Sequence, residues 1–395
     1  MPNTNIIWSR KFTLMIVSNF LTSVAFYFML TSLPLYLTSY LHFDKDDAGL
    51  IISAYIFTAV VVRPFVGVLI DKYGRKIIYL SSLSIFSLLF VLYGIFNDAI
   101  SLTIIRIAHG IVWGVLTTAG STIILDIVPQ EKRGEGIGYY GLAFTLAMAI
   151  GPFLASLIIK TENYKLLFIL STVIALIGTS LLLGLKLPKH NSINTKIIDG
   201  LKGFISPVTF PIAILTILIM MPYGAILNFI AIYCNQVKTG DTGIFFISLA
   251  IALTISRIGA GKIFDRDGPK KLIIISYIFI ILSFPALIIF DSPITLMLSA
   301  LFIGFGFGIS FPIYQLMINN ILPIEMRGTA NSIFLTALDL GIGLGTLIMG
   351  FLTQNINLKL AFLVWIIIGV FSLVMFLSYV SNHYKINDLS KKIEK

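Results

Sequence analysis

A carboxylate, a guanidinium and an imidazole stand inside otherwise apolar stretches of this 395-residue chain, and they are the side chains best placed to do chemistry. Asp339 follows Arg327 by 12 residues, which in a helix places it about 18 Å further along the axis. A carboxylate at that depth in an apolar layer is costly to keep charged, so it can take up and release a proton as its exposure changes. The competing roles are a packed, permanently protonated or paired aspartate, or one that only reads a bound molecule. Arg106 does not lose its proton at ordinary pH. It is therefore a fixed charge that biases a carboxylate or binds an anionic group, or else a structural arginine bonded to carbonyls. His109, one turn on and on the same face, either titrates or packs as a neutral ring. Other chemistries are excluded. The single Cys234 leaves no internal disulfide or multi-thiolate cluster, and four histidines offer no metal-ligand spacing. The sequence also lacks a phosphate-cradling Gly-x-x-x-x-Gly-Lys-Ser/Thr loop. No cofactor, metal ion or enzymatic nucleophile is expected.

The elements that must position these groups follow from composition. With 57% hydrophobic and 12% charged residues and a mean hydropathy of +0.97, a water-soluble fold is excluded, because so much apolar surface has to face lipid. Twelve apolar segments are long enough to cross a bilayer. Six lie near 12–37, 48–70, 77–96, 99–126, 136–159 and 164–187, and six near 209–235, 242–264, 272–290, 293–319, 328–353 and 358–381. Long continuous runs predict helices rather than barrel strands. The fold class is an all-α polytopic membrane protein of twelve transmembrane helices in two pseudo-symmetric six-helix bundles. The expected boundaries are 1–187 for the first bundle, 188–208 for a cytoplasmic linker, 209–381 for the second bundle and 382–395 for a cytoplasmic tail. Asp98, Asp241, Asn357 and Ser292 followed by Pro293 read as helix N-caps.

Sidedness explains the net charge of +10. With both termini cytoplasmic, twenty of the 28 Lys and Arg residues fall inside and only Lys45, Lys160, Lys165, Lys238 and Lys359 fall outside; Arg63, Arg106 and Arg257 lie within helices. That asymmetry obeys the positive-inside rule, so the basic residues face a lipid leaflet rather than nucleic acid. The expected location is the cell membrane.

A shift of 194 residues superimposes the two halves. Arg63, Gly67, Asp71, Gly74 and Lys76 fall on Arg257, Gly261, Asp265, Gly268 and Lys270, and Pro129, Glu131, Arg133 and Gly134 fall on Pro323, Glu325, Arg327 and Gly328. Two six-helix units repeated in one orientation form the arrangement from which alternating-access transporters are built, with a substrate site near the midplane.

The segment Gly67-Val-Leu-Ile-Asp71-Lys72-Tyr-Gly74-Arg75-Lys76 resembles the signature loop of the major facilitator superfamily, and a degenerate copy recurs around Asp265, Arg266 and Gly268. The resemblance covers the whole chain. It implies that Asp71 sits against the N-terminus of the eleventh helix, where unpaired N–H groups favour a carboxylate, and that Arg75 pairs with Asp126 at the end of the fourth helix. The second copy has Pro269 and Asn320 at those two places, so both members of the pair are missing together. Asp126 could instead cap a loop. Arg106-Ile-Ala-His109-Gly110 is similar to the family's proton-coupling motif, and Ala147-x-x-x-Gly151-Pro152-x-x-Ala155-Ser156 is a partial version of its exporter motif. The latter makes Gly151 and Pro152 a candidate hinge, or an ordinary packing seam.

By family resemblance, the cavity is lined by Asn19 and Tyr27 on the first helix, Arg106 and Trp113 on the fourth, Tyr223 and Asn228 on the seventh, and Tyr314 and Gln315 on the tenth. Aromatic faces with a few amides suit an amphipathic molecule, although packed or lipid-facing aromatics are common in any membrane helix. The implied function is proton-coupled efflux of a small amphipathic or cationic drug or metabolite by rocking of the halves. The implied partners are a small-molecule substrate, protons and the lipid bilayer, and the implied state is a monomer. Import of a nutrient on the same fold and a non-transporting sensor remain the alternatives.

Overall fold

The computed structural model describes residues 7–159, 163–185, 206–237, 242–289 and 292–390. Most of the expected linker and the last five residues of the tail lie outside them. In the first repeat the helices are α1 Arg10–Leu35, α2 Lys45–Tyr73, α3 Arg75–Leu92, α4 Ala99–Ile127, α5 Arg133–Ile159 and α6 Tyr164–Leu183. The second repeat holds α7 Phe210–Val237, α8 Thr242–Asp267, α9 Pro269–Ile288, α10 Pro293–Asn320, α11 Arg327–Asn355 and α12 Leu358–Met375. Helices α1 and α12 each run on through a π turn, Tyr36–Tyr40 and Phe376–Val380, the latter leading into α13, Ser381–Asn387. There is no strand among the described residues. Eleven of these segments are long and apolar enough to cross a membrane, and α5 is the remaining long helix, 27 residues from Arg133.

Helix starts are set by local chemistry. Asp98 accepts from the Ser101 amide at 2.8 Å and Asn357 from that of Leu360 at 2.8 Å. Ser292 accepts from the Thr295 amide at 3.2 Å, with Pro293 in the first turn. Each supplies an acceptor to an N–H that the helix itself cannot use. Asp241 lies outside the described residues. The α2–α3 and α8–α9 reversals both turn on a glycine with positive φ, Gly74 at 93° and Gly268 at 77°, a backbone conformation that a Cβ disfavours.

The described chain forms two compact units divided after Gly200, with one exchange: Gln130–Gly138 groups with the second unit, although it precedes α5 in the first repeat. Within the units the repeat is visible as packing. Gly110 and Gly114 of α4 lie against Tyr55 and Ala59 of α2, and Gly304 and Gly308 of α10 lie against Leu249 and Leu253 of α8, each partner again 194 residues on. Likewise Gly151 of α5 abuts Tyr27 of α1, and Gly345 of α11 abuts its counterpart Met221 of α7. Small residues let backbones approach closely where no hydrophobic force separates helix from lipid. A Cβ at Gly345 would run into the Met221 carbonyl, whereas one at Gly343 meets nothing within 4 Å. Gly345→Ala is therefore expected to destabilise the second unit by about 1–3 kcal/mol through overpacking. Gly343→Ala on the same helix is expected to be neutral or slightly stabilising. Melting temperatures of the two variants in detergent check the contrast.

The expected tail is partly a folded element. Tyr384 is buried and its hydroxyl accepts from Asn320 Nδ2 at 3.1 Å. The Leu389 amide donates to the Asn320 carbonyl at 2.9 Å, supplying a partner to the C-terminal end of α10. Further on, Gln130 Nε2 donates to the Ser390 carbonyl at 3.0 Å, and His383 Nε2 lies 2.8 Å from the Val208 carbonyl.

Candidate functional site

In the first unit the buried charge of α4 sits in an aromatic setting. Arg106 is fully buried, its guanidinium lies 4.4 Å from the centroid of the Tyr55 ring of α2, and Nη2 donates to the Ile52 carbonyl at 3.4 Å. A cation over a ring face in a desolvated place is held by the ring quadrupole. Tyr55 stacks on Phe26 of α1 with centroids 5.4 Å apart, and Phe26 stacks on Trp113 at 4.2 Å. Three helices thus contribute to one ladder that runs from Trp113 to Arg106. One turn beyond the arginine, His109 is also fully buried, 3.2 Å from the Tyr93 hydroxyl through Nδ1 and edge-on to Phe86 and Phe90. Tyr27 packs on Phe144, and Asn19 donates to the Tyr140 carbonyl at 3.2 Å. Tyr55, Phe26 and Tyr93 were absent from the sequence-based selection. Nothing local marks them, since Tyr55 precedes Arg106 by 51 residues on another helix.

At the α2–α3 turn, Arg75 donates to Asp126 of α4 and lies 3.7 Å from Asp71, one turn back across Gly74. Arg75 and Asp71 are buried, while Lys76 is exposed and Lys72 lies over the ring of Tyr73 at 5.3 Å. Gly67 is buried in the last turns of α2. Arg63, also buried, donates to Thr117 Oγ1 at 3.0 Å.

The second copy of the loop makes a different contact, inside the second unit. Asp265 accepts from the Gly134 amide at 2.8 Å through one oxygen and from the Glu135 amide at 3.0 Å through the other. Both amides belong to the first turn of α5, so the carboxylate caps that helix against its dipole. The approach depends on glycine at both Gly134 and Gly261, where a Cβ on either would strike the other's carbonyl oxygen. Lys262 adds a 3.4 Å ion pair to Glu135. Arg266 is exposed and pairs with its neighbour Asp267 at 2.8 Å. The Asp265 clamp explains why Gln130–Gly138 groups with the second unit. Asp265→Ala removes both acceptors and is expected to cost about 1–2 kcal/mol, measured as a fall in melting temperature, with Asp265→Asn falling between it and the unmodified chain.

The remaining sequence-selected residues of the second unit are not alike. Tyr223 packs on Phe307 at 4.6 Å, and Asn228 is exposed, donating to Thr346 Oγ1 at 3.0 Å. Tyr314 is fully buried with its hydroxyl 2.9 Å from that of Tyr277, which commits it to the packing of α10 on α9. Gln315 is buried in an amide network: its Nε2 donates to Asn331 Oδ1 at 2.8 Å, and Asn319 Nδ2 donates to the same oxygen at 3.2 Å. Asn319 and Asn331 belong to no sequence motif singled out above. Asp339 is half-buried on α11, deep inside a helix of 29 residues. Gly151 is in close contact with Tyr27, and the ring of Pro152 lies outside the described residues.

Two repeated bundles of membrane-length helices, each with the same loop glycine and the same interhelical glycine contacts, meet the sequence profile of the Major Facilitator Superfamily over residues 15–293 and again over 212–395. The chain belongs to that superfamily. Among curated relatives of this superfamily member, the staphylopine export protein of Staphylococcus aureus is 25% identical over 331 residues, covering 80% of this chain and 83% of the relative. The multidrug resistance protein MdtG of Enterobacter lignolyticus is 24% identical, covering 93% and 91%. The crystal structure of the human organic anion transporter MFSD10 superposes with a TM-score of 0.78 at 16% identity, covering 95% of this chain and all of that one. The proton:xylose symporter XylE, from another solved structure, gives a TM-score of 0.72 at 17% identity, covering 96% of each. These likenesses establish the fold, that of a multi-pass membrane transporter.

Proposed function

We propose that this superfamily member is a proton-coupled antiporter of the cell membrane that exports a small amphipathic compound by alternating access, with both termini cytoplasmic. The observation that carries the reading is the position of Asp339: of the 18 acidic residues in the sequence it is the one placed deep within a span, 12 residues into α11. A carboxylate there is the group suited to bind a proton from one side and release it to the other. The direction rests on the partial exporter motif at Gly151 and Pro152 and on similarity to relatives described as an export protein and a multidrug resistance protein.

In this reading the Asp265 clamp has a counterpart. The 194-residue repeat carries Asp265 onto Asp71, and Asp71, with Arg75 and Asp126, is assigned the part of a latch on the family resemblance. Carboxylate caps of this kind are strong enough to hold one state and weak enough to release it. Asn19, Tyr27, Arg106, Trp113, Tyr223 and Asn228 are the proposed cargo-contacting residues, and Arg106 and His109 are also assigned to coupling. Tyr314 and Gln315, each bonded to another helix, are assigned an indirect part.

The test uses everted membrane vesicles energised to an acidic interior and followed with a pH-sensitive acridine dye. Amphipathic compounds that the protein exports are expected to dissipate the gradient when added outside, and to do so only in vesicles that contain it. If a compound is moved by the reconstituted protein with no accompanying proton flux, the coupling proposal fails. Proton-driven movement in the opposite sense favours the symporter alternative, for which the likeness to the proton:xylose symporter is the supporting observation.

A further inference from the structure

The charge of the cargo can be argued from α4, given the transporter reading above. Arg106 is fully buried, and its Nε and Nη1 have no hydrogen-bond partner. Nη2 donates to the Ile52 carbonyl at 3.4 Å, the Tyr93 hydroxyl lies within reach of the guanidinium, and among the described residues Arg106 forms no ion pair. His109, equally buried, leaves Nε2 without a partner. An arginine has donors and no acceptor, whereas a tyrosine hydroxyl has both. The Tyr93 hydroxyl lies beside the guanidinium, which favours its oxygen as acceptor and directs its hydrogen to His109 Nδ1, 3.2 Å away. That tautomer puts the imidazole hydrogen on Nε2. The cluster then presents N–H groups on Arg106 and His109 with nothing to receive them, and a positive charge with no counter-charge. Leaving buried donors unmet is destabilising, more so for a charged group.

We propose that Arg106 and His109 Nε2 form the seat for the carboxylate of a small, largely apolar monocarboxylate, the cargo of this transporter. Carboxylate oxygens only accept, so they match a set of donors. One negative charge neutralises one guanidinium, whereas a phosphate dianion would leave excess charge buried. A cation would be brought next to an uncompensated positive charge and rejected. The rings around the seat, Tyr55, Phe86 and Phe90 with Trp113 and Phe26 beyond, give an apolar body stacking faces. Of the amphipathic or cationic cargo expected from the sequence, the cationic kind is therefore set aside in favour of an amphipathic anion.

The experiment measures binding of radiolabelled benzoate to the full chain in nanodiscs, with benzylamine as the matched cation. Benzoate is expected to bind saturably and at least tenfold tighter than benzylamine, and Arg106→Gln is expected to weaken benzoate binding at least tenfold. Without ligand, Arg106→Gln should melt at or above the temperature of the unmodified chain, and it should lose the upward shift given by benzoate. Should that variant fail to fold, Arg106→Lys, which keeps the charge, is expected to retain part of the shift, and His109→Phe to reduce it. The seat is overturned by absence of saturable benzoate binding, by equal binding of benzylamine, or by unchanged affinity in Arg106→Gln. A chain that exchanges protons for other compounds but ignores benzoate overturns the seat and leaves the antiporter reading standing. Arg106-dependent binding of benzoate without any transport upholds the seat and removes the antiporter reading.

Discussion

Asp339→Asn is expected to abolish uphill, proton-driven transport while leaving exchange of cargo down its own gradient. The substitution keeps the shape of a half-buried side chain on α11 and replaces the one deeply placed acid with a group that neither binds nor releases a proton. In the proposed antiport, net transport needs that proton step in every cycle, whereas exchange needs only that the loaded protein change its exposure. In proteoliposomes the variant should show counterflow of labelled cargo and no concentration against an imposed pH gradient. Coupled transport at the unmodified rate would remove Asp339 from the mechanism. Loss of both activities together would mean that the aspartate serves the fold or the cargo rather than the proton.

Asp126→Ala is expected to have the largest effect on stability. Arg75 is only 7% exposed, and its direct partner Asp126 is nearly as enclosed, with 12% of its side chain exposed. Removing one member of a buried pair leaves the other charge uncompensated, a loss of about 3–5 kcal/mol. Asp71, 3.7 Å from Arg75, retains part of the compensation and places the expected loss at the lower end of that range. The double substitution Arg75→Met with Asp126→Leu removes both charges, and it is expected to recover most of the lost stability, since apolar replacements of buried pairs are often neutral. Thermal melting of the singles and the double in detergent gives the comparison. Equal stability of Asp126→Ala and the unmodified chain would mean the pair contributes nothing to the fold.

The helices and their caps were legible in the sequence because the signals are local: an apolar run long enough to cross a bilayer, or an Asp, Asn or Ser just before it. The repeat was legible because a 194-residue shift keeps glycines whose contacts must be repeated, as Gly114 with Ala59 and Gly308 with Leu253 are. The Arg75 and Asp126 contact was implied by the family resemblance and supported by a second copy that lacks both residues at once. Rotational position was not legible. Tyr314 and Gln315 lie on a helix that is apolar on all sides, where sequence does not say which side meets a neighbouring helix, and both turned out to be bonded to side chains of other helices. The ring beneath Arg106 and the amides capped by Asp265 come from distant parts of the chain, so no spacing reveals them.

The bond from Gln130 to the carbonyl of Ser390 ties the short turn before α5 to the far end of the polypeptide. Since Cys234 is the only thiol in the chain and is buried, a cysteine introduced at position 390 would accept a maleimide dye at one place. Such a fluorophore would report on that turn while the molecule works.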